Sequence, residues 1–162
     1  MAHKKIKKIN EMRGAVARLR AEGKKVVFTN GCFDILHVGH VRYLKKAKSY
    51  GDVLVVGLNS DRSVRRIKGE KRPILPQRER SEILAALEFV DYIVPFGEPD
   101  PLRLIETLRP DVLVKGADWP LDRIIGREVV KKIGGRVVRV PLVRGASSTG
   151  IIERILKAYC GS

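Results

Sequence analysis

Eleven consecutive residues, Asn30-Gly31-Cys32-Phe33-Asp34-Ile35-Leu36-His37-Val38-Gly39-His40, gather the most chemically capable side chains of this sequence. Two of its three histidines, His37 and His40, fall here, three positions apart with Gly39 between them. Val26, Val27 and Phe28 ahead of the string read as a strand, and Val41, Leu44 and Ala47 behind it recur at helical spacing. The string is therefore expected at a strand-to-helix turn. The first N–H groups of a helix have no partner within it, and the helix dipole favours negative charge there, so such a turn suits a phosphate. Positions three apart share a helix face, which lets both imidazoles aim at one anion. Gly39 leaves the backbone open to close approach. Neither G-x-G-x-x-G nor G-x-x-x-x-G-K-[ST] occurs in this turn, so a dinucleotide fingerprint and a P-loop are both unsupported.

Three further clusters carry groups that suit phosphate or sugar. Ser147-Ser148-Thr149 precedes an apolar-periodic segment. Hydroxyls there are good N-caps, and Arg144, three residues earlier, tips the balance toward a grip on nucleotide phosphate. Lys68-Gly69-Glu70-Lys71-Arg72-Pro73 is either a solvated loop or a source of cations for a reacting phosphate. In Lys115-Gly116-Ala117-Asp118-Trp119 the single tryptophan belongs to the core or walls a base or sugar pocket. Gly116 would allow close approach there, and Asp118 would bond a sugar hydroxyl.

Cys32 and Cys160 are far apart and form no C-x-x-C pair, which argues against a disulfide framework and a zinc site. A reducing, cytoplasmic setting is the expectation. Cys32 reads better as a small residue at a strand end than as a nucleophile.

The elements that must position these groups alternate along the chain. Strands are expected at 25–29, 53–58, 92–95, 112–115 and 136–140, and helices at 7–21, from the histidine turn to about 50, at 77–89, from the opening Pro99-Asp100-Pro101 through 108, at 124–133 and after Thr149. A polar basic loop is expected from Asn59 to about Pro76. Continuous Val/Leu/Ile strands alternating with helices predict an α/β, Rossmann-like, doubly wound five-stranded parallel sheet with helices on both faces. Ligands of such sheets bind beyond the carboxyl ends of the strands, where the histidine turn, Asn59-Ser60-Asp61, Lys115 to Trp119 and Arg144 to Thr149 all fall. Residues 1–24 read as an N-terminal helical extension and 25–162 as the functional domain.

Length and charge bound the rest. The 162 residues fit one domain, no apolar run approaches a membrane span, and the basic start is followed by no apolar signal region. With 33 Lys+Arg against 18 Asp+Glu, the formal charge of +15 draws polyanions. Small phosphorylated substrates are one such class and nucleic acid another. No aromatic-interleaved basic motif supports the second, so no nucleic-acid partner is expected, and no membrane partner.

The string Asn30 to His40 resembles the HxGH signature of the cytidylyltransferase-like nucleotidylyltransferase superfamily. Together with Gly57-Leu58-Asn59-Ser60-Asp61, Lys68-Gly69, Arg72-Pro73, Ala85 to Asp91, Pro110 to Gly116 and Ser147-Ser148-Thr149, it is similar to the D-glycero-β-D-manno-heptose 1-phosphate adenylyltransferases over about residues 25–157. Members often carry a sugar-kinase domain, absent from these 162 residues, so the resemblance implies the stand-alone form. It implies transfer of AMP from ATP to the sugar 1-phosphate, giving ADP-heptose for lipopolysaccharide or surface polysaccharide, with Mg²⁺ as cofactor and a homodimer as a possible assembly. On this reading His37, His40 and Lys68 are catalytic. Asn30, Gly31, Cys32, Phe33, Gly39, His40, Lys115, Gly116, Asp118, Arg144, Ser147, Ser148 and Thr149 bind the nucleotide. Asp34, Asn59, Asp61, Lys68, Arg72 and Trp119 bind the substrate, with Asp34 orienting a lysine or sugar hydroxyls, and no protein ligand to a metal is assigned. Glycerol-3-phosphate cytidylyltransferase shares the HxGH turn and closing hydroxyls and is the rival within this chemistry. A basic nucleic-acid-binding protein is the rival from another class.

Overall fold

A computed structural model describes residues 4–161; Met1-Ala2-His3 of the expected extension and Ser162 lie outside the described residues. The elements in order are α1 (Ile9–Ala21), β1 (Val26–Gly31), α2 (Val38–Lys48), β2 (Val53–Asn59), α3 (Asp61–Lys68), α4 (Gln77–Ala86) and β3 (Tyr92–Phe96). There follow α5 (Leu102–Leu108), β4 (Val112–Gly116), a 3₁₀ turn at Leu121–Arg123, α6 (Arg127–Lys132), β5 (Arg136–Val140) and α7 (Ser148–Tyr159). The five strands form one parallel sheet in the order β3-β2-β1-β4-β5, the doubly wound arrangement that the alternating pattern predicts.

Successive strand residues point to opposite faces, and each face has its own apolar layer. Val26, Phe28, Val53 and Val55 pack with Met12 and Val16 of α1, Leu104, Ile105 and Leu108 of α5, and Val130 of α6. Val27, Leu54, Val56 and Leu58 pack with Leu44 and Ala47 of α2 and Leu84 and Ala85 of α4. From β1 the chain builds outward to β3, then crosses back to place β4 on the other side of β1. The strand order thus reverses between β1 and β4, which opens a crevice at their carboxyl ends.

Two expectations change. Residues 4–24 are part of the same body rather than an extension: Met12, Ala15 and Val16 are buried in the first layer, and Ile6 forms a parallel bridge with Ile93. The physical reason is the helical apolar stripe itself, which covers the sheet face between α5 and the β1–β2 strands. The loop expected over 59–76 contains α3. Ser60 caps it by accepting from the Ser63 amide (3.2 Å), and Val64 anchors it in the protein. At its other end α7 meets the body through its first turn, while Glu153 to Tyr159 are exposed.

Candidate active site

The crevice is a cleft of about 460 Å³ beyond the ends of β1 and β4. The turn after β1 delivers the histidines. His37 caps α2 in extended backbone, and its Nδ1 accepts from the Gly39 amide (3.1 Å). An accepting Nδ1 leaves the proton of the neutral ring on Nε2. His40 stacks on His37, with ring centroids 3.8 Å apart, and meets the edge of Phe33 at 5.2 Å. Burial lowers the His37 pKa. Burial, then the neighbouring His37, lowers that of His40 to about 4. The Ile35 carbonyl opposes the shift without reversing it, and the buried His40 Nδ1 has no hydrogen-bond partner among the described residues. Both shifts favour the neutral rings at pH 7, which can then serve as N–H donors rather than cations. Gly39 serves packing: a Cβ there would sit 2.9 Å from the His37 ring and 3.1 Å from Ala146, so the protein itself fills the space expected for a ligand.

Opposite, the end of β4 contributes Lys115, whose Nζ donates to Asn30 Oδ1 and lies 5.9 Å from the Trp119 ring centroid. Burial lowers its pKa to about 8, against the opposing pull of Asp118. Trp119 is half-exposed and lines the cleft with Leu142 and Val143, so it walls a pocket rather than joining the core. Ser147 caps α7 by accepting from Gly150 N (2.9 Å), Ser148 Oγ donates to the Ile35 carbonyl (3.2 Å), and both line the cleft with Thr149. The hydroxyls thus serve as caps and ties and still face the cleft.

Lys68 and Arg72 lie on the third side. Arg72 is held by Asp34, its Nε donating to Oδ2 at 2.5 Å. Asp34 also accepts from the amides of Ile74 (2.8 Å) and Leu75 (2.9 Å). Burial pushes its carboxyl up, but the Leu75 and Ile74 amides and Arg72 outweigh this and hold it below the usual range. Burial raises the Cys32 thiol, despite Lys68, Arg80 and Arg72 nearby, so it is a lining group and no thiolate.

The structure thus gathers Asn30, Gly31, Cys32, Phe33, Asp34, His37, Gly39, His40, Asn59, Lys68, Arg72, Lys115, Gly116, Asp118, Trp119, Ser147, Ser148 and Thr149 around one cleft. Three assignments change. Asp61 lies outside the lining and pairs with Arg80 (2.7 Å) at the start of α3, because a carboxylate there compensates both the helix end and a buried cation. Arg144 is exposed and outside the lining, since the turn at Gly145 carries it away from the cleft. Asp34 touches the cleft only at 2% exposure; its oxygens are committed to Arg72 and two amides, so it orients an arginine, not a lysine or a sugar. Asn59 is buried and its amide donates to Ser63 Oγ (2.9 Å), which ties β2 to α3.

Sequence reasoning passed over Tyr43, Ile67, Leu142 and Val143 as lining residues. Tyr43 donates to the Val114 carbonyl (3.2 Å) and shares a hydrogen bond with Thr29 Oγ1 (2.8 Å), tying α2 to β1 and β4 beneath the cleft. The available signal was its place three residues after His40, on the same helix face. Among the described residues no cluster of three His, Cys, Asp or Glu forms a cage for a metal.

Residues 28–154 match the sequence profile of the family described as cytidylyltransferase-like. The chain is 63% identical over 155 residues to the "Bifunctional protein HldE" of Geobacter sulfurreducens and 61% identical to that of Geobacter metallireducens; the matches cover 96% of this chain and 32% of each relative. The chain thus spans about a third of the length of these curated relatives. Among solved structures, a lipopolysaccharide core biosynthesis protein from Thermoplasma volcanium superposes with a TM-score of 0.62 at 32% identity, covering 76% of this chain and 100% of that one. A pantoate-beta-alanine ligase from Francisella tularensis shares the fold with a TM-score of 0.60 at 19% identity, over 94% of this chain and 78% of that one.

Proposed function

Since this chain belongs to the cytidylyltransferase-like family, we propose that it is a nucleotidyltransferase that transfers the AMP group of ATP to D-glycero-β-D-manno-heptose 1-phosphate, releasing pyrophosphate and forming ADP-heptose. The substrate choice rests on the similarity to the HldE proteins and to the lipopolysaccharide core biosynthesis protein. The observation that carries the chemistry is the pair of stacked neutral imidazoles at the start of α2, facing one cleft with Lys68, Arg72 and Lys115.

The residues suit an in-line displacement. A phosphate monoester is mostly dianionic at neutral pH, so the sugar phosphate oxygen attacks the α-phosphorus without a general base. The bond from the α-phosphorus to the bridging oxygen breaks, and that oxygen leaves with pyrophosphate. Catalysis is then positioning and charge stabilisation. His37 and His40 donate N–H bonds to the phosphate oxygens as negative charge shifts toward the leaving group. Lys115 meets the nucleotide from β4, Lys68 and Arg72 face the sugar phosphate, and Trp119, Leu142 and Val143 wall the base.

The donor set also fits Mg²⁺ carried chiefly by substrate phosphates, a cation that needs few protein ligands and would neutralise the triphosphate, with Asp118 a carboxylate that lines the cleft. We propose a cytoplasmic setting and a homodimer as its working form; no helix among the described residues is long and apolar enough to cross a membrane. The test is pyrophosphate release with a panel of sugar 1-phosphates, with and without excess chelator. The expected result is release from ATP with the heptose phosphate, abolished by chelation. Undiminished release in chelator removes the metal from the proposal.

A further inference from the structure

Arg80 is the largest fully buried side chain among the described residues, and it is not itself a lining residue of the cleft. Its Nε donates to the Leu75 carbonyl (3.0 Å), Nη1 to the carbonyls of Cys32 (2.6 Å) and Asn59 (2.9 Å), and Nη2 to Asp61 Oδ1 (2.7 Å). Four of the five guanidinium N–H groups are thus spent on four separate segments: the turn after β1, the end of β2, the start of α3 and the loop that leads into α4.

The segment it holds at Cys32 is under strain. Phe33, the next residue, has φ +45°, a left-handed conformation that is costly for a non-glycine residue and persists only where its surroundings fix it. The surroundings fix it on both sides. Arg80 grips the carbonyl before Phe33, and the residue after it, Asp34, takes the Ile74 and Leu75 amides and Arg72 Nε. The conformation has two consequences in the cleft. It lays the Phe33 ring against Gly31, where a Cβ would come within 3.0 Å, and against the edge of His40. It also aims Asp34 at Arg72.

We propose that Arg80 is a positioning residue for nucleotidyl transfer, acting through Cys32 and Phe33 on His40 and through Asp34 on Arg72. The kinetic part rests on the reading of the cleft given above; the structural part does not. A buried charge that meets no ligand then sets the distance between a donor on one wall and a cation on the other. Lysine cannot substitute, since an ammonium has three donors on one atom and reaches one point, not four.

The experiment compares wild-type, Arg80→Ala and Asp61→Asn proteins. Arginine side-chain ¹⁵N–¹H spectra follow Arg72 Nε–H, identified by its loss in Arg72→Lys. In wild type this proton is protected by Asp34. In Arg80→Ala it should lose its protection and shift toward the free-arginine position. In the same protein kcat should fall about 100-fold, the scale of a misplaced group, with KM for ATP changed only about threefold. Millimolar guanidinium, which fits the space vacated, should restore part of both. Asp61→Asn, which loses one acceptor near the surface, should move the resonance the same way by less, and it decides the matter if Arg80→Ala does not fold. An unmoved, protected Arg72 resonance in a folded variant overturns the proposal, as does activity that falls only in step with thermal stability and ignores guanidinium. If wild-type protein shows no nucleotidyl transfer, the reading of the cleft fails while the resonance still judges the positioning.

Discussion

His37 and His40 carry the account at the scale of single residues. On the proposed reading each is a neutral donor aimed at charge that grows during the reaction, so His37→Ala and His40→Ala should each lower kcat by roughly 10² to 10³, the cost of one lost transition-state donor. Steady-state kinetics with saturating substrates checks this, and wild-type turnover in either variant removes that histidine from the mechanism. Lys115 gives a pH signature. Its pKa of about 8 in the free protein lies well below the usual lysine value because the ammonium is desolvated. As pH rises through 8 the charge is lost, and with it the attraction to a triphosphate. The alkaline limb should therefore appear in kcat/KM, which reports the free enzyme. It should be displaced upward in kcat, since bound phosphate favours the charged lysine. Lys115→Arg, charged throughout this range, should flatten the limb. A wild-type kcat/KM that stays level from pH 7 to 9 contradicts this role.

At the scale of elements, the parts most readable from sequence were those with one dominant signal. β1, β2 and β4 are continuous apolar runs, fully buried over most of their length, and only a sheet covered on both faces buries such runs. The histidine turn was equally legible, since polar groups with turn chemistry sit between a strand and a helix. α3 was hidden because Asp61 to Lys68 shows only Val64 and Ile67 as apolar positions, and its capping Ser60 resembles loop composition. Arg80 was hidden for the opposite reason: in the run Gln77-Arg78-Glu79-Arg80 one arginine looks like another, and burial of the last depends on the carbonyls of Leu75, Cys32 and Asn59 and on the Asp61 carboxylate. Asp34 reads as a ligand group in the sequence because its partners, the Ile74 and Leu75 amides, are about forty residues away. Gly39 offers a test at this scale. Glycine within a helix costs about 1 kcal/mol relative to alanine, so Gly39→Ala should leave overall stability nearly unchanged or slightly higher. Its Cβ must push the His37 ring or Ala146 aside, so turnover should drop by at least about tenfold as the donor is displaced. Thermal melting beside kinetics separates the two effects; loss of both in proportion would mean that Gly39 serves only the fold.

For the whole molecule, the sheet order explains why one cleft receives all the chemistry. The reversal between β1 and β4 opens a crevice at their carboxyl ends, and the loops after β1, β2, β4 and β5 all reach it. The formal charge of +15 gives the surface a long-range pull on polyanions that salt screens within about 8 Å at physiological strength. That pull serves any nucleotide alike, so base and sugar choice must come from the cleft. The most direct measurement supplies ATP and CTP together, at equal concentration, with heptose 1-phosphate and Mg²⁺, and identifies the nucleotide-sugar formed by mass. ADP-heptose as the dominant product, with one pyrophosphate per molecule formed, is the predicted result. CDP-linked product, or no nucleotide-sugar from either nucleotide, would contradict the account.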